Sequence, residues 1–135
     1  MTNESTGEVR IDSESDIVAA RKIVRDTAIA MGFGVTDVTR IVTAASELTR
    51  NVFRYAGCGV MRWRMVHAGE VAGLELTFED QGPGIPDIKR AMQVGYTTKG
   101  GLGLGLPGAK RLMDEMEIES EVGKGTKVTV KKWRK

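Results

Sequence analysis

Glu47 and Asn51 stand four residues apart in Glu-Leu-Thr-Arg-Asn, inside an apolar-periodic segment, so a helix would carry both on one face. A carboxylate there can accept a proton from a hydroxyl nucleophile. An amide oxygen can ligate Mg²⁺, an ion that takes oxygen ligands and keeps several waters. Downstream, Asp80-Gln-Gly-Pro-Gly-Ile follows an alternating segment whose Leu74, Leu76 and Phe78 share one face. That pattern is a strand running into a glycine turn. Asp80 then sits at the strand end as an acceptor-only group, suited to the exocyclic amine of adenine. A third stretch, Gly100-Gly-Leu-Gly-Leu-Gly-Leu, is backbone-permissive and enters a helical pattern near Leu106. Its N–H groups and the helix N-terminus can cradle phosphates. The three stretches together suggest nucleotide binding.

Each stretch alone has a plainer reading. Glu47 and Asn51 form an ordinary exposed i,i+4 pair if the helix stands by itself, and Asp-x-Gly-Pro-Gly serves as a simple turn. Lys99 is the nearest cation for a terminal phosphate, although a lysine in a polar loop is usually just solvated. Gly103-Leu-Gly-Leu-Pro-Gly108 also fits G-x-G-x-x-G. A dinucleotide site is rejected, because Gly95-Tyr-Thr-Thr-Lys-Gly-Gly before it is no buried strand. No Gly-Lys-Ser/Thr ends a phosphate loop of the Walker type.

Other chemistries are excluded by count. Cys58 is the one cysteine and reads as a buried or incidental thiol, while His67 is the one histidine, in a hairpin turn, so triads and His/Cys metal clusters are unavailable. A lone cysteine fits a reducing cytosol, and the N-terminus lacks the basic and apolar regions of a signal peptide. The expected location is cytoplasmic. No apolar run approaches the ~20 residues that a membrane helix needs. A net charge of +2 over 135 residues is no nucleic-acid footprint, and Lys131-Lys-Trp-Arg-Lys reads as a strand's solvated finish.

The elements that must position these residues follow from periodicity. Glu8 to Asp12 makes a short strand after a frayed start at residues 1–7. Ser13-Glu-Ser-Asp16 caps a first helix whose stripe Ile17, Ala20, Val24, Ala28 and Met31 ends at Gly32. A second helix, with Thr36 as N-cap, carries Val38, Ile41, Val42, Ala45, Leu48, Val52 and Tyr55 to Gly57. Glu47 and Asn51 lie beside that stripe, at the rim of the core. Val60 to Val66 and Val71 to Glu79 form a hairpin around His67-Ala-Gly-Glu. Pro86 to Met92 suggests a short helix, and Gly95 to Gly101 a flexible connection where a lid would be. Leu106 to Met116 makes a third long helix, and Ile118 to Val122 with Thr126 to Trp133 a closing hairpin. The expected fold is a single α+β domain over 1–135, a two-layer sandwich whose mixed, largely antiparallel sheet is covered on one face by helices.

On these motifs the sequence resembles the GHKL family, the Bergerat ATP-binding fold of histidine kinases, heat-shock chaperone ATPases, type II topoisomerases and MutL. Glu47-Leu-Thr-Arg-Asn51 matches its N box, Asp80-Gln-Gly-Pro-Gly84 its G1 box and Gly101-Leu-Gly-Leu-Gly105 its G2 box, in the family's order and across essentially the whole chain. Within the family the likeness is to small serine/threonine kinases of sigma-factor partner switching, and more narrowly to the switch kinase of the stressosome. Ala-Ser-Glu-Leu-Thr-Arg-Asn, Asp-Gln-Gly-Pro-Gly-Ile-Pro-Asp-Ile and Gly-Leu-Pro-Gly-Ala-Lys-Arg-Leu-Met-Asp-Glu carry it.

The resemblance implies ATP and Mg²⁺ as cofactors, Glu47 as catalytic base and Asn51 as metal ligand. Nucleotide contacts would come from Asp80, Gly82, Gly84, Ile85, Lys99, Gly101, Leu102, Gly103, Gly105 and Thr126, the last sharing a water with Asp80. It further implies phosphorylation of STAS-domain partners of the RsbS and RsbR kinds, followed by activation of a metal-dependent phosphatase of the RsbU kind. Nucleic acid and membrane are not expected partners. An anti-sigma factor or adaptor, with ATP chiefly a conformational ligand, is the alternative. A detached histidine-kinase catalytic domain fits less well.

Overall fold

The computed structural model describes residues 6–85 and 105–134, and the expectations for Pro86 to Met92, the Gly95 to Gly101 connection, Lys99, Gly101, Leu102 and Gly103 lie outside them. The order is β1 (Thr6–Ile11), α1 (Glu14–Ala30), α2 (Val35–Ala56), β2 (Gly59–Ala68), β3 (Val71–Asp80), α3 (Gly105–Leu112), β4 (Glu115–Glu121) and β5 (Gly125–Trp133). The five strands form one sheet in the order β1-β2-β3-β5-β4, and every pairing among the described residues is antiparallel. This is the two-layer α+β architecture that the alternation implies.

Period-two patterning explains which face is covered. Met61, Phe78, Val128 and Ile118 form one cross-strand row, and Trp63, Leu76, Val130 and Met116 the next. These rows join Ala20, Val24 and Ala28 of α1, Ile41, Ala44, Ala45, Leu48 and Val52 of α2, and Ala109 and Met113 in one core. Leu48, Leu74, Leu76 and Phe78 are each at most 2% exposed, and burying a side chain of that size contributes about 1.5–3 kcal/mol. The opposite face is polar. There Arg62 pairs with Glu8 and Glu79 at 3.2 and 2.8 Å, and Arg64 with Glu75 at 3.0 Å.

Several local expectations are corrected. Gly34, not Thr36, is the N-cap of α2: its backbone is extended and its carbonyl accepts the Val38 N–H at 2.9 Å. The third helix is shorter than its spacing implied. It stops at Leu112, because Asp114 N–H bonds to the Lys131 carbonyl and Glu115 already pairs with Lys131 in the sheet. The first hairpin turn tightens to Gly69-Glu70, which leaves the exposed His67 within β2 opposite Ala72. Cys58 is exposed, which removes the buried alternative and leaves the incidental one.

The basic tail is likewise not all solvated. Lys132 is 7% exposed and donates to the Leu112 carbonyl at 2.9 Å, with Asp114 and Asp37 at 3.5 and 3.8 Å. The alternation that turns Val128 and Val130 inward turns Lys132 inward too.

Candidate functional site

The end of the sheet nearest the β3 turn differs from its interior. After two apolar rows comes a row reading Gly59, Asp80, Thr126 and Ser120 across β2, β3, β5 and β4. It faces the helices, because it shares the parity of Phe78 and Val128. Asp80 and Thr126 are therefore cross-strand neighbours, both part-buried. At Gly59 the helix comes close: a Cβ there would lie 2.6 Å from Val52 Cγ1.

The turn after Asp80 is pinned on three sides. Gly82 N–H donates to Asp80 Oδ1 at 2.9 Å, Gly123 N–H to the Pro83 carbonyl at 2.9 Å, and Ile85 N–H to Ser120 Oγ at 2.7 Å. Its glycines are accounted for by the chain itself. A Cβ on Gly82 would stand 2.7 Å from Ala56 Cβ on α2, and one on Gly84 would strike the Glu121 carbonyl. Gly125 has φ +112°, and a side chain there would collide with the Asp80 carbonyl, so the β5 strand start admits only glycine.

Helix α2 passes this turn with Val52 over Gly59 and Ala56 over Gly82. Glu47 and Asn51 belong to the same helix, half-buried beside the buried Leu48 and Val52, as expected at a core rim. Glu47 Oε2 accepts from Arg50 Nη1 at 3.0 Å. Among the described residues, nothing hydrogen-bonds the Asn51 side chain or the second oxygen of Asp80, and no buried polar side-chain atom lacks a partner. Those free atoms are thus accessible ones. Helix α3, entered from the last glycine box at Gly105, packs against α2 and buries Gly108 and Ala109.

Asp80 and Thr126 thus offer acceptors at one end of the sheet, while Asn51 and Glu47 carry an amide and a carboxylate on the helix that packs over it. This donor set fits a nucleotide with an amino-substituted base and a hard cation. Among the described residues no group of three or more His, Cys, Asp or Glu could hold a metal, so a cation here would take most ligands from water and phosphate. A hollow of about 420 Å³ lies on the other, polar face, lined by Arg62, Arg64, Glu8 and Glu75. Its charges are already paired, and it opens on the face of the sheet opposite the row.

Ser120 is absent from the residues that the sequence singled out. The one signal for it is a polar residue at an inward position of Glu-Met-Glu-Ile-Glu-Ser-Glu. Arg50, read only as part of a motif, turns out to be the partner of Glu47.

An open antiparallel sheet with helices on one face, and a polar row holding one carboxylate at the end of the sheet beneath them, is the frame of a nucleotide-binding α+β domain. Residues 36–135 match the family described as histidine kinase-, DNA gyrase B-, and HSP90-like ATPase, and the chain belongs to that family. It is similar to the serine/threonine-protein kinase RsbT of Bacillus subtilis, 52% identical over 125 residues that span 93% of this chain and 94% of RsbT. It is also similar to the anti-sigma F factor of Geobacillus stearothermophilus, 48% identical over 103 residues spanning 71% and 69% of the two chains.

Among solved structures, the RsbU and RsbW domains of a Mycobacterium tuberculosis protein share the fold with TM-score 0.64 and 19% identity. That match covers 96% of this chain, which spans a third (33%) of the other. The catalytic domain of the histidine kinase ThkA does so with TM-score 0.55 and 15% identity, covering 95% and 96%. The likeness to a small serine/threonine kinase, read from three short phrases, thus extends along the chain. Among the described residues, no helix is long and apolar enough to cross a membrane.

Proposed function

We propose that this chain is a cytoplasmic serine/threonine protein kinase that transfers the γ-phosphoryl group of ATP to a STAS-domain partner of the RsbS or RsbR kind. Once released by that reaction, it activates a metal-dependent phosphatase of the RsbU kind. The observation that carries this reading is the Asp80–Thr126 row packed under the helix that bears Glu47 and Asn51. Identity to RsbT over nearly the full length of both chains supports the kinase activity.

Bound ATP supplies the transferable phosphoryl group, and Mg²⁺ neutralises charge on its oxygens. Asp80 accepts from the adenine amine through the oxygen that Gly82 leaves free, with Thr126 beside it. Asn51 would hold the cation through its amide oxygen. Glu47, held by Arg50 through Oε2, keeps Oε1 to accept the proton of the attacking serine or threonine hydroxyl. That hydroxyl oxygen bonds to the γ-phosphorus as the bond to the β–γ bridging oxygen breaks. ADP leaves, and the proton rests on Glu47. Gly82, Gly84 and Ile85 shape the turn under the purine, and Lys99, Gly101, Leu102, Gly103 and Gly105 are the phosphate-binding candidates.

The test is incubation with radiolabelled ATP, Mg²⁺ and candidate STAS partners, with phosphoamino-acid analysis. Labelled phosphoserine or phosphothreonine supports the reading, and an absence of transfer to any of them counts against it. The identity to an anti-sigma F factor favours a second reading, in which the chain sequesters a sigma factor. Stoichiometric co-purification of a sigma factor in place of a STAS protein would select that reading.

A further inference from the structure

Ser120 Oγ has three neighbours in hydrogen-bond range: Ile85 N at 2.7 Å, the Gly125 carbonyl at 3.0 Å and Thr126 Oγ1 at 2.9 Å. A serine hydroxyl has one proton and two lone pairs. Ile85 N–H can only donate, and the Gly125 carbonyl can only accept. With the proton given to Gly125 and one lone pair to Ile85, the remaining lone pair takes the Thr126 hydroxyl as its donor. The Thr126 proton is thereby directed at Ser120, across the β4–β5 pair, and its own lone pairs are left to face elsewhere.

We infer that Ser120 is a positioning residue for base selection. By fixing the Thr126 hydroxyl as an acceptor beside the acceptor-only Asp80, it makes the mouth of the row answer to a purine carrying an exocyclic amine and refuse one carrying a 6-oxo group. The inference rests on the proposed ATP site and deepens it. Two acceptors side by side suit an amine directly, or through a water that donates one hydrogen to each and accepts from the amine. A 6-oxo group presents a third acceptor, which has nothing to bond. Without Ser120 the Thr126 hydroxyl is free to rotate and can donate to that oxygen.

Binding of ATP and inosine triphosphate, each with Mg²⁺, is measured by calorimetry on the full chain, as wild type, Ser120→Ala and Ser120→Thr. The wild type should prefer ATP. Ser120→Ala should compress the ATP-to-inosine-triphosphate affinity ratio about three- to tenfold, the worth of one neutral hydrogen bond, and Ser120→Thr should restore it. An equal loss for both nucleotides would make Ser120 a mere anchor for Ile85 and overturn the inference, as would an unchanged ratio. If the wild type binds both nucleotides equally, the selection proposal falls while the nucleotide site stands. If it binds neither, the site itself falls. Should Ser120→Ala not fold, Ser120→Cys, whose thiol is only a weak acceptor for the Thr126 hydroxyl, must show the compression, and a wild-type ratio in that variant overturns the proposal.

Discussion

Arg50 Nη1 donates to Glu47 Oε2 at 3.0 Å, one turn along α2, so the carboxylate read as a catalytic base is already held by a cation of its own helix. The pair is 36% and 21% exposed, which limits its worth to stability to about 1 kcal/mol or less. Its value is orientation. Arg50→Met should leave the unfolding free energy nearly unchanged and ATP affinity intact, yet lower the phosphotransfer rate about tenfold as Glu47 loses its fixed rotamer. Single-turnover kinetics beside equilibrium ATP binding separates the two effects. A wild-type rate would show that Glu47 needs no guanidinium.

Glu47 itself should be far more sensitive. Glu47→Gln keeps size and an acceptor oxygen but cannot take the hydroxyl proton, so transfer should fall by roughly 10²–10⁴-fold. Nucleotide affinity should stay within a factor of about two, because the role assigned to Glu47 is toward the attacking hydroxyl alone. Transfer at the normal rate would remove Glu47 from the chemistry.

Asp80→Asn isolates one oxygen. The new side chain can still accept from Gly82 N–H, which preserves the turn, and its amide nitrogen replaces the free oxygen with a donor. That donor would face the adenine amine. ATP affinity should fall about 10- to 100-fold, the loss of a charge-assisted bond, with little change in melting temperature. Normal affinity in a folded variant would refute the adenine contact.

The helices and strands are legible because their periods are strong: the α1 stripe runs uninterrupted from the Ser13 cap to Gly32, the α2 stripe from Gly34 to Gly57, and β3 alternates from Leu74 to Phe78. The third helix overran because Met113 and Met116 satisfy a helical spacing while Met116, Ile118 and Ser120 satisfy an alternating one. Pairing of Glu115 to Glu121 with β5 decided between them. The motif residues of the site could be read from chain order. Ser120 could not, since its meaning depends on a register that sets it opposite Thr126. Lys132 was obscured by its neighbours, because four basic residues around a tryptophan read as a solvated tail until strand parity is known.

Lys132 gives a prediction about stability rather than catalysis. Its ammonium donates to the Leu112 carbonyl at the end of α3, where a cation also complements the helix dipole, and lies near Asp114 and Asp37. Lys132→Met keeps the aliphatic stem but strips that carbonyl and both carboxylates of their partner. The cost should be about 1–3 kcal/mol in chemical denaturation, with ATP affinity of the folded fraction unchanged. Undiminished stability would mean that water replaces the ammonium fully.

The start of α1 makes stability depend on pH. Asp16 Oδ2 accepts the Asp12 and Ser13 backbone N–H groups at 2.8 and 3.1 Å. These bonds, that from Asp12 foremost, hold its carboxyl below the ordinary value although desolvation works the other way. The folded chain therefore binds this proton less readily than the unfolded chain does. The resulting stabilisation is complete above the ordinary carboxylate pKa and is lost as pH falls through the depressed folded value. Asp16→Asn retains an acceptor oxygen but no charge, so it should be less stable than wild type at neutral pH and converge with it in acid. Urea unfolding at stepped pH from about 7 down to 3 measures both curves, and parallel curves across that window would show that Asp16 contributes nothing through its charge.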